Sequence, residues 1–277
     1  MPFSETTLIS PYAQIADDVV IGEGCRIESG VVIGAGTQLA DGVKLEPEVS
    51  LGENNVIGVG TVIKSGTQLG SGNQIAEYCV LGGPPLISGR IALPGRLCIG
   101  DRNVIREFAT IQVGTDEDGV TCIGNTNYIM PNVQIGHDSR VGNKVTLTNK
   151  ASLCGHVTIE DEVVLGLGAT IHQHCRIGRL AMVGATAYVS RDIVPFVLVD
   201  GRSGGIVGLN KIGLARRGFS QFTISELKSA YRVIFREALS RQEITARLQN
   251  HPCPEVQELL SFLISSNRGI EQARKSK

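Results

Sequence analysis

From Ile9 to Val189 every sixth residue is aliphatic. Ile9, Ile15, Ile21, Ile27 and Ile33 open the series, Leu165, Ile171, Ile177, Val183 and Val189 close it, and of thirty-one positions only Glu117 breaks the rule. An α-helix drifts out of such a phase within a few turns. A hexapeptide solenoid holds it, because each unit is one short strand plus one corner. Three units close a triangular coil of about 18 residues, and about ten coils at ~4.8 Å each make a prism roughly 50 Å long. The residue two before the aliphatic shares its face of the strand and is often small, as at Cys25, Val31, Thr37, Val43, Thr61 and Thr67, so both are expected to point inward. The residue after it is often glycine (Gly22, Gly34, Gly52, Gly58, Gly136, Gly142), which reads as relief of backbone strain at a corner.

Two stretches read as loops leaving the prism. Residues 83–96 carry three prolines, and residues 114–120 are acidic and surround Glu117. The repeat is expected to close at Pro195. The chain then divides into a solenoid over residues 1–195 and a connector with helices over 196–277. Residues 223–226 read as a capping box, followed by helical spacing at Leu227, Tyr231, Ile234, Phe235 and Leu239; a second helix is expected over 241–249 and a third from Pro254. The fold class is therefore an all-β parallel solenoid of hexapeptide repeats with a C-terminal helical domain.

Composition narrows the chemistry. Glycine makes up 34 of 277 residues and tryptophan is absent, as narrow coils require. A formal charge of −1 argues against general nucleic-acid binding. Neither a long apolar run nor a leader-peptide pattern is expected. The seven cysteines form no CxxC pair, so they are expected to be reduced thiols in the cytoplasm, most of them filling coil interiors.

An 18-residue coil turns spacing into contact. His137, Gly155 and Gln173 each stand two residues past an aliphatic position, one coil apart, on one corner, with His156 and His172 flanking it. An imidazole would meet a glycine amide from the next coil, a base beside a donor for a developing oxyanion. Asp138 follows His137 and could orient its ring. A zinc site from His172, His174 and Cys175 is the competing chemistry, but His172 and Cys175 differ in strand phase, so no metal is expected. Arg202, Lys211, Arg216 and Arg217 form a basic stretch suited to an acidic protein or a phosphate, or simply to a solvated face.

The segments NVQIGHDSRVGNKVTLTNKASLCGHVTIEDEVVLG, IHQHCRIG and GLARRGFS closely resemble the UDP-N-acetylglucosamine O-acyltransferase family of lipid A biosynthesis, as do GDRNVIRE, SELKSAYRVIFRE and SSNRGI. The resemblance is collinear from about residue 50 to the end. It implies a left-handed prism, a homotrimer with active sites between neighbouring prisms, and transfer of a 3-hydroxyacyl group from acyl carrier protein to the 3-hydroxyl of the nucleotide sugar without a cofactor. His137 matches the family's general base, Asp138 its orienting acid and Gly155 its oxyanion amide. His156, His172, Gln173, Asn210, Arg216 and Arg217 match substrate-binding positions. Ala185 matches the far end of the acyl groove, where alanine in place of glycine implies a medium-length chain.

The chain departs from the family in the first loop, where Leu86, Ile87, Ser88, Gly89 and Arg90 stand for a Gln-Asp-Leu-Lys-Tyr run that touches the sugar. The acid falls on Ile87 and the lysine on Gly89, with Arg90 as a replacement cation. A second family histidine is Gln134 here. The expectation is retained catalytic groups with an altered acceptor pocket, such as one for a 3-amino sugar. An acyl-CoA-dependent relative and a non-catalytic scaffold are the other readings.

Overall fold

A computed structural model describes residues 6–88, 95–202 and 204–274. The hexads form short strands that stack into three sheets of ten, nine and eleven strands. The first sheet begins at Leu8–Ile9, the second at Gln14–Ile15 and the third at Val20–Ile21. Leu8 pairs with Arg26 and Gln14 with Val32, both parallel, so a coil is 18 residues. From the second coil onward the aliphatic positions of the coils and their partners two before, including Cys25, Thr37 and Thr61, are fully or almost fully buried, whereas Ile9, Ile15 and Ile21 of the first coil are only partly buried.

Between their flanking strands the described residues of both loops lie outside the ladders, and the spacing of the strands on either side explains why the periodicity passes through them. Thr67 pairs with Leu97, thirty residues on, and Arg96 with Val120, twenty-four on. The excess over one coil is twelve and then six residues, whole hexads in each case. Ile87 therefore sits in phase in the sequence but belongs to no coil. It lies half-buried beside Leu86, which is 75% exposed.

An asparagine ladder runs up the interior across both loops. Asn55, Asn73, Asn103 and Asn127 are buried, and the Oδ1 of each of the first three accepts the backbone N–H of the next at 2.9 Å. Asn127 Oδ1 accepts from Val145 at 2.7 Å. These bonds satisfy polar groups that the apolar interior would otherwise leave unpaired.

The glycine reading needs correction. Apart from Gly82 at the mouth of the first loop, positive φ at the corners falls three residues after the aliphatic position, not one, and is held there by Gly24, Gly30, Gly36 and Gly42 but also by Asn54, Asp138, His156 and His174. The glycines at the first position are required by space. A Cβ on Gly58 would lie 2.6 Å from the carbonyl carbon of Ala76 on the next coil, and one on Gly136 would lie 2.7 Å from that of Cys154.

The ladder also runs past Pro195, since Val197–Val199 adds a parallel strand to the third sheet and Ile206–Leu209 turns back antiparallel to it. Four helices follow: α1 (Lys211–Arg216), α2 (Gln221–Arg236), α3 (Arg241–Leu248) and α4 (Pro254–Ser265). Helix α1 was not anticipated. The α2 cap is Ser220, whose hydroxyl accepts from Thr223 N–H, in place of the box expected over 223–226; the reciprocal box is Ser240 with Glu243 at α3. Helix α4 docks on the prism through a two-point Arg179–Glu258 pair at 2.9 and 2.7 Å and through the Arg176 guanidinium over the Phe262 ring at 4.3 Å. Among the described residues no helix is long and apolar enough to cross a membrane. All seven cysteines are free thiols. Cys25, Cys79 and Cys175 fill the coils, Cys253 is buried in the helical region, and Cys98, Cys122 and Cys154 face outward.

If space governs the first corner position and backbone angle the third, the two glycine types respond differently to alanine. Gly24→Ala, at φ 64 with nothing within 4 Å of the new methyl, should lower stability by about 1 kcal/mol. Gly58→Ala, which drives a methyl into the next coil's backbone, should lose about 3 kcal/mol or fail to fold. Chemical denaturation of the two variants measures the difference.

Candidate active site

The corner between the first and second sheets carries four of the five histidines, His137, His156, His172 and His174. His137 lies two residues past Ile135, and Asp138 takes the left-handed position at φ 57. That backbone turn brings two sequence neighbours face to face, and Asp138 Oδ2 sits 2.9 Å from His137 Nδ1. An ionised carboxylate only accepts, so Nδ1 carries the proton and Nε2 keeps its lone pair. Burial raises the Asp138 pKa, but hydrogen bonds from His137 and Thr115 outweigh it and hold the carboxyl below its usual value. Gln112 fixes His137 from behind, its Oε1 accepting the His137 backbone N–H at 3.2 Å.

One coil on, Gly155 lies against the imidazole. A Cβ at this position would fall 2.3 Å from His137 Cε1 and 2.5 Å from Nε2, so only glycine fits. The Gly155 N–H has no hydrogen-bond partner among the described residues. A basic nitrogen and an open backbone donor thus come from consecutive coils.

Asp138, His156 and His174 occupy equivalent left-handed positions on three coils and form a column. His156 meets the His137 ring edge-on at 5.1 Å and stacks on His174 at 4.6 Å with 8° between planes. Its Nε2 lies 3.7 Å from Asp138 Oδ2. Burial pushes the His156 pKa down, the Asp138 charge opposes this, and His174 and His137 add to it. His137, Asp138 and His156 offer three metal-ligand atoms within 4.8 Å of one another. The trio weighed from sequence does not assemble, because Cys175 is in the core with its thiol pushed up to about 11 by burial.

Several participants escaped the sequence reading. His174 was weighed only as a metal ligand, and Gln112 and Arg268 were not singled out. Arg268 arrives from the segment after α4, which buried Asp192 anchors by accepting from Ser266 Oγ at 2.7 Å and from Arg176 N–H at 2.8 Å. Arg268 donates to His172 Nδ1 at 2.8 Å. A guanidinium cannot accept, so Nδ1 of His172 is the acceptor, and its 3.3 Å contact with Gln173 O is not a hydrogen bond. A cleft of about 630 Å³ opens here, lined by His156, His174, Arg176, Ser265 and Arg268. A larger depression of about 840 Å³ along the second sheet, past Gln68, Cys98 and Cys122, carries no base and is set aside.

Of the remaining candidates only Gln173 shares the histidine edge, where it is exposed. Asn210 caps α1, accepting from Gly213 N–H at 3.0 Å, and donates to Leu180 O at 2.9 Å on the edge between the second and third sheets. Arg217 pairs with Glu162 on that same edge at 2.7 Å, and Arg216 is exposed at the end of α1. Ala185 is exposed on the third edge, after Met182–Val183. One prism therefore does not bring these residues to His137. Of the departing loop, Leu86, Ile87 and Ser88 are described, whereas Gly89 and Arg90 lie outside the described residues.

A stacked hexad prism with a carboxylate-oriented imidazole at one edge defines the class of hexapeptide-repeat transferases. Residues 4–35 match the family model described as bacterial transferase hexapeptide, and residues 192–271 match the second domain of UDP-N-acetylglucosamine O-acyltransferase. A curated protein of Thiobacillus denitrificans, an acyl-[acyl-carrier-protein]–UDP-N-acetylglucosamine O-acyltransferase, is 43% identical over 197 residues, covering 70% of this chain and 76% of its own. The solved Arabidopsis UDP-N-acetylglucosamine acyltransferase superposes with a TM-score of 0.93 at 30% identity, over 98% of this chain and 100% of the other. That of Francisella novicida gives 0.81 at 32%, over 99% and 95%. The chain belongs to the UDP-N-acetylglucosamine O-acyltransferase family.

The lowered His156 pKa fixes a pH response. The folded chain binds this proton less readily than the unfolded chain, so stability rises with pH across the ordinary histidine range and falls as pH drops through ~6.5. The depressed Asp138 acts in the same direction, but only at more acid pH. Thermal unfolding between pH 8 and 5 should show a fall that is shallower in His156→Asn.

Proposed function

We propose that this protein moves a 3-hydroxyacyl group from acyl carrier protein to the 3-hydroxyl of UDP-N-acetylglucosamine, the first step of lipid A biosynthesis, in the cytoplasm. The observation that carries the reading is the His137 ring, protonated at Nδ1 against Asp138 and lying over the bare Gly155 of the next coil. In this mechanism Nε2 takes the proton of the sugar hydroxyl as its oxygen attacks the thioester carbonyl. The Gly155 N–H donates to the oxygen that becomes negative, and Asp138 stabilises the imidazolium. Collapse of the tetrahedral intermediate expels the carrier's thiolate, which recovers the proton from Nε2. The residues need no metal and form no covalent bond to the acyl group in this route.

His156, His172 and Gln173 bind the substrates along the histidine edge. With Arg268 held at Nδ1, neutral His172 presents Nε2–H as a donor suited to a phosphate or hydroxyl oxygen. Asn210, Arg216 and Arg217 on one edge and Ala185 on another complete the pocket across protomer boundaries, which is the reason for a homotrimer. Ala185 limits the groove to a medium-length acyl chain. The solenoid to residue 195 supplies the reaction, and the region from 196 onward caps it and brings Arg268 to His172.

One observation favours a variant acceptor. Leu86 is solvent-exposed and Ile87 half-buried where the family carries polar sugar contacts. A 3-amino sugar nucleotide would use the same base and the same oxyanion donor.

Mass-spectrometric assay of the purified chain with both sugar nucleotides, each with acyl carrier protein and acyl-CoA donors, tests the assignment. Turnover is expected with the carrier-protein donor. His137→Ala should lower kcat by about a thousandfold or more, and Asp138→Asn, which tolerates the left-handed backbone but loses the carboxylate, by a comparable factor. Activity confined to acyl-CoA, or undiminished in His137→Ala, would refute the assignment.

A further inference from the structure

The proton on His137 Nδ1 shares its place with another ligand set. Asp138 Oδ2 is 2.9 Å from His137 Nδ1 and 3.7 Å from His156 Nε2, and each of the three residues brings a ligand atom within 4.8 Å of the others'. A tetrahedral zinc ion, with nitrogen and oxygen ligands at ~2.0–2.2 Å, needs its donors roughly 3.3 Å apart. The two edges through Asp138 bracket that spacing, and small rotations of the rings close the third. The rings are already held in place, His137 over Gly155 and His156 against His174 at 4.6 Å. The His156 side chain is 43% exposed, which gives an ion its way in.

We propose that a divalent transition-metal cation of the zinc type binds His137 Nδ1, Asp138 and His156 Nε2, and that its binding switches off the base. The ion takes the Nδ1 lone pair. The single proton of the neutral imidazole then moves from Nδ1 to Nε2, with none gained or lost by the ring. An Nε2 that carries a proton cannot accept one from a hydroxyl. Magnesium, which prefers six oxygen ligands, finds two nitrogens and one carboxylate here and does not compete. The inhibitory half of the proposal rests on the acyl-transfer reading; the binding half does not.

The test is a calorimetric titration of the full chain with zinc ion alone, with acyl transfer followed in parallel. Cys98, Cys122 and Cys154 reach the surface and would bind zinc themselves, so each is replaced by serine in the background chain. His156→Asn removes one ligand and keeps a residue that tolerates φ 59. One ion per chain is expected, with activity lost in proportion to occupancy and restored by a chelator. His156→Asn should weaken binding by more than the roughly 10- to 100-fold that loss of an outer-shell partner costs. Equal affinity in His156→Asn, or full turnover by the zinc-loaded chain, would overturn the proposal. One bound zinc that His156→Asn releases, in a chain with no acyl transfer even when metal-free, would support the site and overturn the reaction assignment instead.

Discussion

Everything in this molecule depends on coils stacking in register, so that residues 18 apart touch. The backbone bonds set that register, as where Gly136 N–H donates to Leu153 O at 2.8 Å and His156 N–H to His137 O at 2.8 Å. The two loops lengthen their coils by whole hexads, whereas the last coil is two residues short of 18, Val183 pairing with Val199. The buried asparagines enforce the register from within: Asn73 bonds to Asn103 and Asn103 to Asn127 across the two loops, which holds the coils in phase where the chain departs from them.

The histidine corner uses the same device. The left-handed turn that every coil needs is filled by Asp138, His156 and His174 on successive coils, so a structural position doubles as a column of titratable groups. Asp138 thereby reaches back to the ring of its own neighbour, and Gly155 leaves the space that ring occupies. The helical end contributes at long range. Asp192 ties down Ser266, and Arg268 just beyond it fixes the tautomer of His172.

Much of this was legible in the sequence because hexad spacing converts directly into distance. The three-sheet prism, both loops and the meeting of His137 with Gly155 follow from counting in sixes. The rest depends on features that spacing does not encode. Ile87 kept the phase while leaving the prism, since a twelve-residue insertion is invisible to a six-residue count. Gly58 and Gly136 looked like strain relief because a glycine at a corner has two physical explanations, and only coordinates separate them. His174 differs from its neighbours in nothing but its place in a column, and Arg268 reaches the site through tertiary folding of the chain end. The distribution of Asn210, Arg217 and Ala185 over two further edges was equally hidden.

The account stands on an imidazole and a bare glycine from consecutive coils sharing one space. Turnover of Gly155→Ala beside Gly168→Ala tests this most directly. The first places a methyl 2.3 Å from His137 Cε1, while the second, on the edge between the third and first sheets, meets nothing closer than 3.9 Å. Loss of kcat by about a hundredfold or more in Gly155→Ala, with both variants folded and Gly168→Ala still active despite the ~1 kcal/mol cost of alanine at its left-handed backbone, is the predicted result. Parental kcat in Gly155→Ala would contradict it.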